Sequence, residues 1–269
     1  VAVLIEIDNP NDERLDVFRW RERQLANKPQ RAEKIGAGLF VAEGDLVVER
    51  ALSTSHEPVA LLCSPRRADA LSRSIAGEVP LYVASADVRQ DVTGLGVPLE
   101  ATGVFRRPAL LDPSDLISTC ARIVVLEAID NPTNVGAIVR SAVALGWDGI
   151  LLDATSADPL ARRALRVSMG TALSLRFART APHQSPVDVV APSHTVFALT
   201  PDLSAHDLRA LPQPLPQRYA LALGSERDGL SEAALSASTF HVRIPMHHGV
   251  DSLNVGTAAA IAMYELGPQ

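Results

Sequence analysis

The chain has 269 residues, 47% of them hydrophobic and 21% charged, with a formal net charge of −6. That length sustains one large or two ordinary domains with cores of their own, and the composition is that of a globular protein. No apolar run approaches the roughly 18 residues of a membrane helix, the opening VAVLIEI is too short and lacks the basic lead of an export signal, and two distant cysteines, Cys63 and Cys120, make no disulfide framework. A cytoplasmic protein in two domains is expected.

In chain order, residues 1–30 read as an N-terminal helical extension, polar at first and then amphipathic through Leu15, Phe18 and Leu25. Residues 31–107 read as a small α/β domain. GLFVAEG from Gly38, VALLCSP and PLYVAS are strand-like, and DLVVERALS and an arginine-led segment between them are helical. Glu43 falls at the start of the first of these helices, where the macrodipole favours a carboxylate. Residues 108–120 lie in FRRPALLDPSDLIS, whose two prolines break the periodicity, and read as a linker.

The domain 121–269 opens with RIVVLEAI, Arg122 to Ile129, a β-branched run suited to a strand covered on both faces. Asn131 is a candidate N-cap with Pro132 at the first helical position, and Thr133, Gly136, Ala137, Arg140 and Ala144 then share one face that is small apart from the arginine. GILLDA is a second strand, Ala157 to Met169 a helix ending at Gly170, and HTVFALTP a further strand. LPQPLPQ, from Leu211 to Gln217, is a surface turn. The last stretches are LALGSERDGL, from Leu221, and IPMHHGVDSLNVGTAAAIAMYE, from Ile244.

The acidic net charge disfavours nucleic-acid binding unless cations cluster. They do: seven basic residues face five acidic ones between Asp12 and Lys34, and five arginines face one aspartate between Ser156 and Thr180. Arg66-Arg67 and Arg106-Arg107 add two pairs, and Arg162 and Arg166 stand out in the helix. Each cluster also suits a solvated face. No GxGxxG follows a strand, so a dinucleotide cradle is not expected. His241, His247 and His248 have neither an HExxH pattern nor a cysteine pair beside them, and no metal is expected. Ser252 and Asn254 each suit an N-cap for the closing helix, and Glu226 a turn carboxylate at a helix start.

Three segments, Asn134-Val-Gly-Ala-Ile-Val-Arg140, Leu221 to Leu230 and Ile244 to Glu265, resemble in order and internal spacing the three motifs of the SpoU-type RNA ribose methyltransferases of the SPOUT superfamily. GLFVAEGDLVVERAL more loosely resembles the start of the substrate-binding domain that precedes the catalytic domain in many of them. The resemblance implies an α/β fold with a C-terminal trefoil-knotted methyltransferase domain behind a small α/β RNA-binding domain. It also implies a homodimer, S-adenosyl-L-methionine as cofactor, and RNA as partner, ribosomal ahead of transfer RNA. It implies that Thr200, Gly224, Ile244, Met246 and Leu253 hold the adenosyl group, and that Arg140, Glu226, Ser252, Asn254 and Asn134 form the catalytic cluster. The stretch Arg166-Val-Ser168-Met-Gly170 also matches one near the family's substrate cleft.

Arg140 is the group the family assigns to activation of the ribose hydroxyl. A guanidinium stays protonated, so it suits a phosphate fork and charge stabiliser better than a general base. The alternatives are a non-catalytic RNA-binding or assembly protein that keeps the knot, and an enzyme of the same superfamily that methylates a base nitrogen.

Overall fold

The computed structural model describes residues 2–25, 38–211 and 213–267. The end of the expected N-terminal extension and the start of the expected small domain, 26–37, lie outside the described residues. The chain forms two units: Val1–Ala109 with Leu160–Ser174, and Leu110–Pro159 with Leu175–Gln269.

In the first unit the chain runs through β1 (Val3–Ile7), α1 (Asp16–Arg19), α2 (Glu22–Leu25), β2 (Leu39–Glu43), α3 (Asp45–Ser53), β3 (Pro58–Cys63), α4 (Pro65–Ser74), β4 (Pro80–Ala84), α5 (Ala86–Thr93) and β5 (Ala101–Arg106). The sheet order is β1-β4-β3-β5-β2. β1, β4 and β3 are parallel, and β5 runs antiparallel to both β3 and β2.

The opening residues correct the helical reading of the extension. VLIEI is an edge strand paired with PLYVA, because an apolar, β-rich run gains more from an open sheet edge than from an isolated helical turn. The helical part is two short helices, parted at Trp20 by an extended ψ of 138°. Leu15, Phe18 and Leu25 are fully buried in the same core as Val41, Leu62 and Val104, so this segment completes the unit.

In the second unit come α6 (Pro113–Thr119), β6 (Arg122–Leu126), α7 (Pro132–Ala144) and β7 (Gly149–Leu152). The chain passes through α8 (Arg162–Val167), which packs in the first unit, and returns for β8 (Arg176–Arg179), α9 (Pro186–Val190), β9 (Thr195–Leu199) and β10 (His206–Asp207). β11 (Tyr219–Leu223), α10 (Glu232–Ala237), β12 (Phe240–Arg243) and α11 (Val255–Glu265) complete it. Its seven strands lie in the order β10-β12-β9-β11-β6-β7-β8, all parallel. Buried on both faces, β7, β11 and β6 beyond Arg122 are continuous apolar runs.

Two segments differ from the sequence reading. Pro113–Thr119, inside the expected linker, is a helix capped by Asp112 and buried through Leu116 against the sheet, and Leu111 bridges to Ala178. The helix expected over 157–169 is cut to Arg162–Val167, and Met169 and Gly170 then turn through φ of 52° and 79°. A Cβ on Gly170 would lie 3.3 Å from the Val47 Cα of α3, so glycine serves both the turn and the close approach.

α7 and α11 pack together. A Cβ on Gly256 would meet the Ala137 Cβ at 3.2 Å. Side chains hold the C-terminal end of α11: the Trp147 indole donates to the Met263 carbonyl at 3.1 Å, and the Tyr219 hydroxyl donates to that of Leu266. These bonds to carbonyls of the last turn fix the helix on the sheet.

Candidate active site

The carboxyl ends of parallel strands are where open α/β sheets hold ligands, and the sequence-selected residues converge there. Thr200, Gly224 and Ile244 each follow the last residue of β9, β11 and β12, and these three strands are neighbours in the order β12-β9-β11. Gly224 is a steric necessity. A Cβ there would fall 2.1 Å from the Gly229 carbonyl carbon and 2.2 Å from the Leu230 nitrogen. The loop it opens is a tight hairpin, with Ser225 N donating to Gly229 O at 3.2 Å and Gly229 N to Ser225 O at 3.1 Å. Glu226 and Arg227 stand exposed on it.

One hydrogen-bonded relay joins the three motif segments. Asn254 is the N-cap of α11, its Oδ1 accepting from the backbone of Gly256 at 3.0 Å and Thr257 at 3.3 Å. Its Nδ2 donates to Oδ1 of buried Asn134 at 3.1 Å, and the Asn134 Nδ2 donates to Oε1 of Glu226. The direction is forced from one end. Because backbone N–H groups claim the Asn254 oxygen, its nitrogen must point at Asn134, and the Asn134 nitrogen must then find an acceptor, which Glu226 supplies.

Asn131 caps α7 as expected, accepting from Thr133 N at 2.9 Å, and so sets where Asn134 emerges. Arg140 lies on the exposed face of α7 and makes no hydrogen bond or ion pair with any described residue. Ser252 and Leu253 are exposed and Met246 is half-buried, all in the irregular segment 244–254 between β12 and α11. Ser252 stands apart from the relay.

The sequence reading passed over Glu127, although it directly follows β6. Its carboxylate accepts from the Ser231 backbone at 2.8 Å and hydroxyl at 2.9 Å, tying the start of α10 to the end of β6. Asp153, after β7, also escaped notice. Burial raises its pKa, but hydrogen bonds from Ser156 and Thr155 outweigh that and hold the carboxyl below its usual range. Through Ser156, whose hydroxyl accepts from Ile129 N at 3.0 Å, it fixes the turn leading to Asn131.

The arginines singled out for RNA belong to the first unit, and most are engaged there. Arg67 pairs with Asp45 at 2.8 Å and with Glu49, Arg106 with Glu57 at 2.9 Å, and Arg107 donates to the Leu39 carbonyl at 2.8 Å. Arg66 is largely exposed, 3.5 Å from Glu100. Arg162 and Arg166 both bind Glu43, each at 2.8 Å.

The sequence model of the SpoU rRNA methylase family matches residues 121–264. A Mycobacterium tuberculosis protein named as an uncharacterised tRNA/rRNA methyltransferase is 39% identical over 268 residues, covering 97% of this chain and 90% of the relative. The 23S rRNA (guanosine(2553)-2'-O)-methyltransferase of Bacillus subtilis is 25% identical over 236 residues, 87% of this chain and 90% of that protein. In structure, the SpoU methyltransferase AviRb from Streptomyces viridochromogenes, crystallised with its cofactor AdoMet, superposes with a TM-score of 0.75 at 25% identity, covering 95% of this chain and 97% of that one. The ordered motifs, the parallel sheet and the match to a relative over 97% of the chain agree, and the chain belongs to the SpoU rRNA methylase family.

Proposed function

We propose that this protein methylates RNA on a ribose 2'-OH with S-adenosyl-L-methionine as donor, ribosomal RNA ahead of transfer RNA. The observation that carries the reading is the relay from Glu226 through Asn134 to the Asn254 cap, which brings all three motifs together at the carboxyl edge of the parallel sheet. The Bacillus relative named for 2'-O-methylation and the AdoMet-bound neighbour support it.

The residues present fit the cofactor. The donor has no phosphate to cradle, and the Gly224 turn lets two backbone segments approach closely beside Thr200 and Ile244, with Met246 and Leu253 in the adjoining segment. When bound, S-adenosyl-L-methionine supplies an electrophilic methyl group. The chain then has to place the ribose oxygen in line, and such positioning lowers a barrier by roughly 7–11 kcal/mol. Arg140, permanently charged and without a partner among the described residues, holds an RNA phosphate and stabilises negative charge on O2′ as its proton leaves to that phosphate or to water. Glu226 and Asn134 keep the loops on either side in register, and Ser252 offers a hydroxyl from the exposed segment. The reading includes the family's trefoil knot in the second unit, and a homodimer.

The test is transfer of labelled methyl groups from S-adenosyl-L-methionine to unmodified ribosomal RNA, followed by alkaline digestion. A 2'-O-methyl blocks cleavage at its own phosphodiester, so label is expected in alkali-resistant dinucleotides. Label in alkali-labile mononucleotides would make the enzyme a base methylase. RNA binding without transfer would make it a binding protein.

A further inference from the structure

Glu43 is a buried carboxylate, 4% exposed, between two guanidinium groups. Oε1 accepts from Arg162 and Oε2 from Arg166, each at 2.8 Å. The Glu43 carboxylate thus receives two guanidinium groups, one on each oxygen.

The two arginines are not equivalent. Arg162 turns inward: its side chain is 17% exposed and also donates to the carbonyls of Phe18 at 2.7 Å and Trp20 at 2.9 Å, while its backbone donates to Glu22 at 2.9 Å. Arg166 is 36% exposed, and the bond to Glu43 is the only one its guanidinium makes with described residues. A guanidinium has five N–H donors, so four of those on Arg166 make no bond to a described residue while the buried carboxylate holds the group at Nη1.

The segment behind them is equally fixed. Arg50 donates to the Met169 carbonyl at 2.5 Å, and Gly170 lies against Val47. A solvated surface arginine gains nothing from such anchoring, whereas a cation that must meet a fixed anion does.

We propose that Glu43 is a positioning residue that aims Arg166 at a phosphate of the RNA backbone, with Arg162 as the neutralising anchor. The proposal rests on RNA being the substrate. Charge alone and aim make opposite predictions for Glu43→Gln. The substitution removes one negative charge, so a simple electrostatic patch would bind RNA more tightly, whereas a misaimed guanidinium binds it less well.

The experiment measures binding of the full-length protein to transcribed, unmodified 23S ribosomal RNA across a salt series, with S-adenosyl-L-methionine affinity as the check on folding. Arg166→Met leaves Glu43 paired with Arg162. It is expected to weaken binding by about tenfold and to reduce the slope of log affinity against log salt by about 0.7–0.9, one phosphate's worth. Glu43→Gln is expected to weaken binding several-fold and to raise KM for RNA with little change in kcat. A folded Glu43→Gln variant that binds RNA as well as or better than wild type overturns the proposal, as does a wild-type salt slope in Arg166→Met. If Glu43→Gln does not fold, the slope of Arg166→Met decides alone. Failure of the wild-type protein to bind RNA defeats the RNA reading itself and is a distinct result.

Discussion

Arg140 is conspicuous in the sequence as the one large, charged group on an otherwise small helical face, and the structure leaves it exposed and without a partner among the described residues. Arg140→Lys keeps the charge but loses the planar fork, so single-turnover methyl transfer should fall sharply with some activity left. Arg140→Ala should lose about 10²–10³-fold, the usual cost of removing one charge-stabilising donor. Cofactor affinity should change little in either variant, and recovery of the lysine form at high pH would instead identify a proton acceptor. His194 makes a different prediction. It is buried, its Nε2 is 3.0 Å from the Cys120 carbonyl and its Nδ1 2.9 Å from the Ser193 hydroxyl. Burial lowers its pKa below 6.5, so the folded state prefers neutral imidazole and the unfolded chain takes up the proton first. Stability from this site is therefore complete above about pH 6.5 and is lost as pH falls from there toward the lower folded value. Tm should drop between pH 7.5 and 5.5, and His194→Gln should show a smaller drop; an equal drop in both would assign the acid sensitivity elsewhere.

At the scale of elements, the loop after β11 hangs on Gly224, and no other residue fits. Gly224→Ala places a methyl 2.1 Å from the Gly229 carbonyl carbon, so the hairpin must open. S-adenosyl-L-methionine binding should weaken at least tenfold by calorimetry, with Tm lowered; unchanged affinity would remove this loop from the cofactor site. Strands β2, β3, β4, β6, β7 and β9 and the helices after Asn131 and Asn254 were legible because apolar runs, caps and small-residue faces are local signals, whereas β5, β8, β10 and β12, shorter or more polar, were not named. The relay joining Asn134 to Glu226 was legible only as membership of one cluster, since its bonding direction comes from backbone N–H groups that no side-chain pattern reveals. Two misreadings share a cause. VLIEI became an edge strand and the 113–119 segment a packed helix because tertiary partners, β4 and the β7–β8 face, decided what local propensity left open. The engagement of Arg67, Arg106 and Arg162 by carboxylates was likewise invisible, because their partners lie far away in the chain.

For the whole molecule, α11 presents Thr257, Ile261 and Tyr264 outward, with Ile261 38% and Tyr264 73% exposed, on the helix that packs against α7. Ile261 and Tyr264, three apart on that helix, mark the surface on which the proposed homodimer would close. Ile261→Asp with Tyr264→Asp should give a monomer by light scattering at micromolar concentration with the fold intact by circular dichroism, and a wild-type mass would place the interface elsewhere. The division into units also shows what a sequence boundary leaves out. The family match spans 121–264 without a break, yet 160–174 folds with the N-terminal unit, where Arg162 and Arg166 neutralise Glu43. The backbone therefore goes from one unit to the other three times, at 109–110, 159–160 and 174–175. The protein is sewn together where a tethered pair would be held by a single thread. A protease nick anywhere in the 108–112 stretch should leave the two pieces travelling as one particle. An exchange of N-terminal modules between relatives at that same point would carry over a β2 whose buried acid meets another protein's strap.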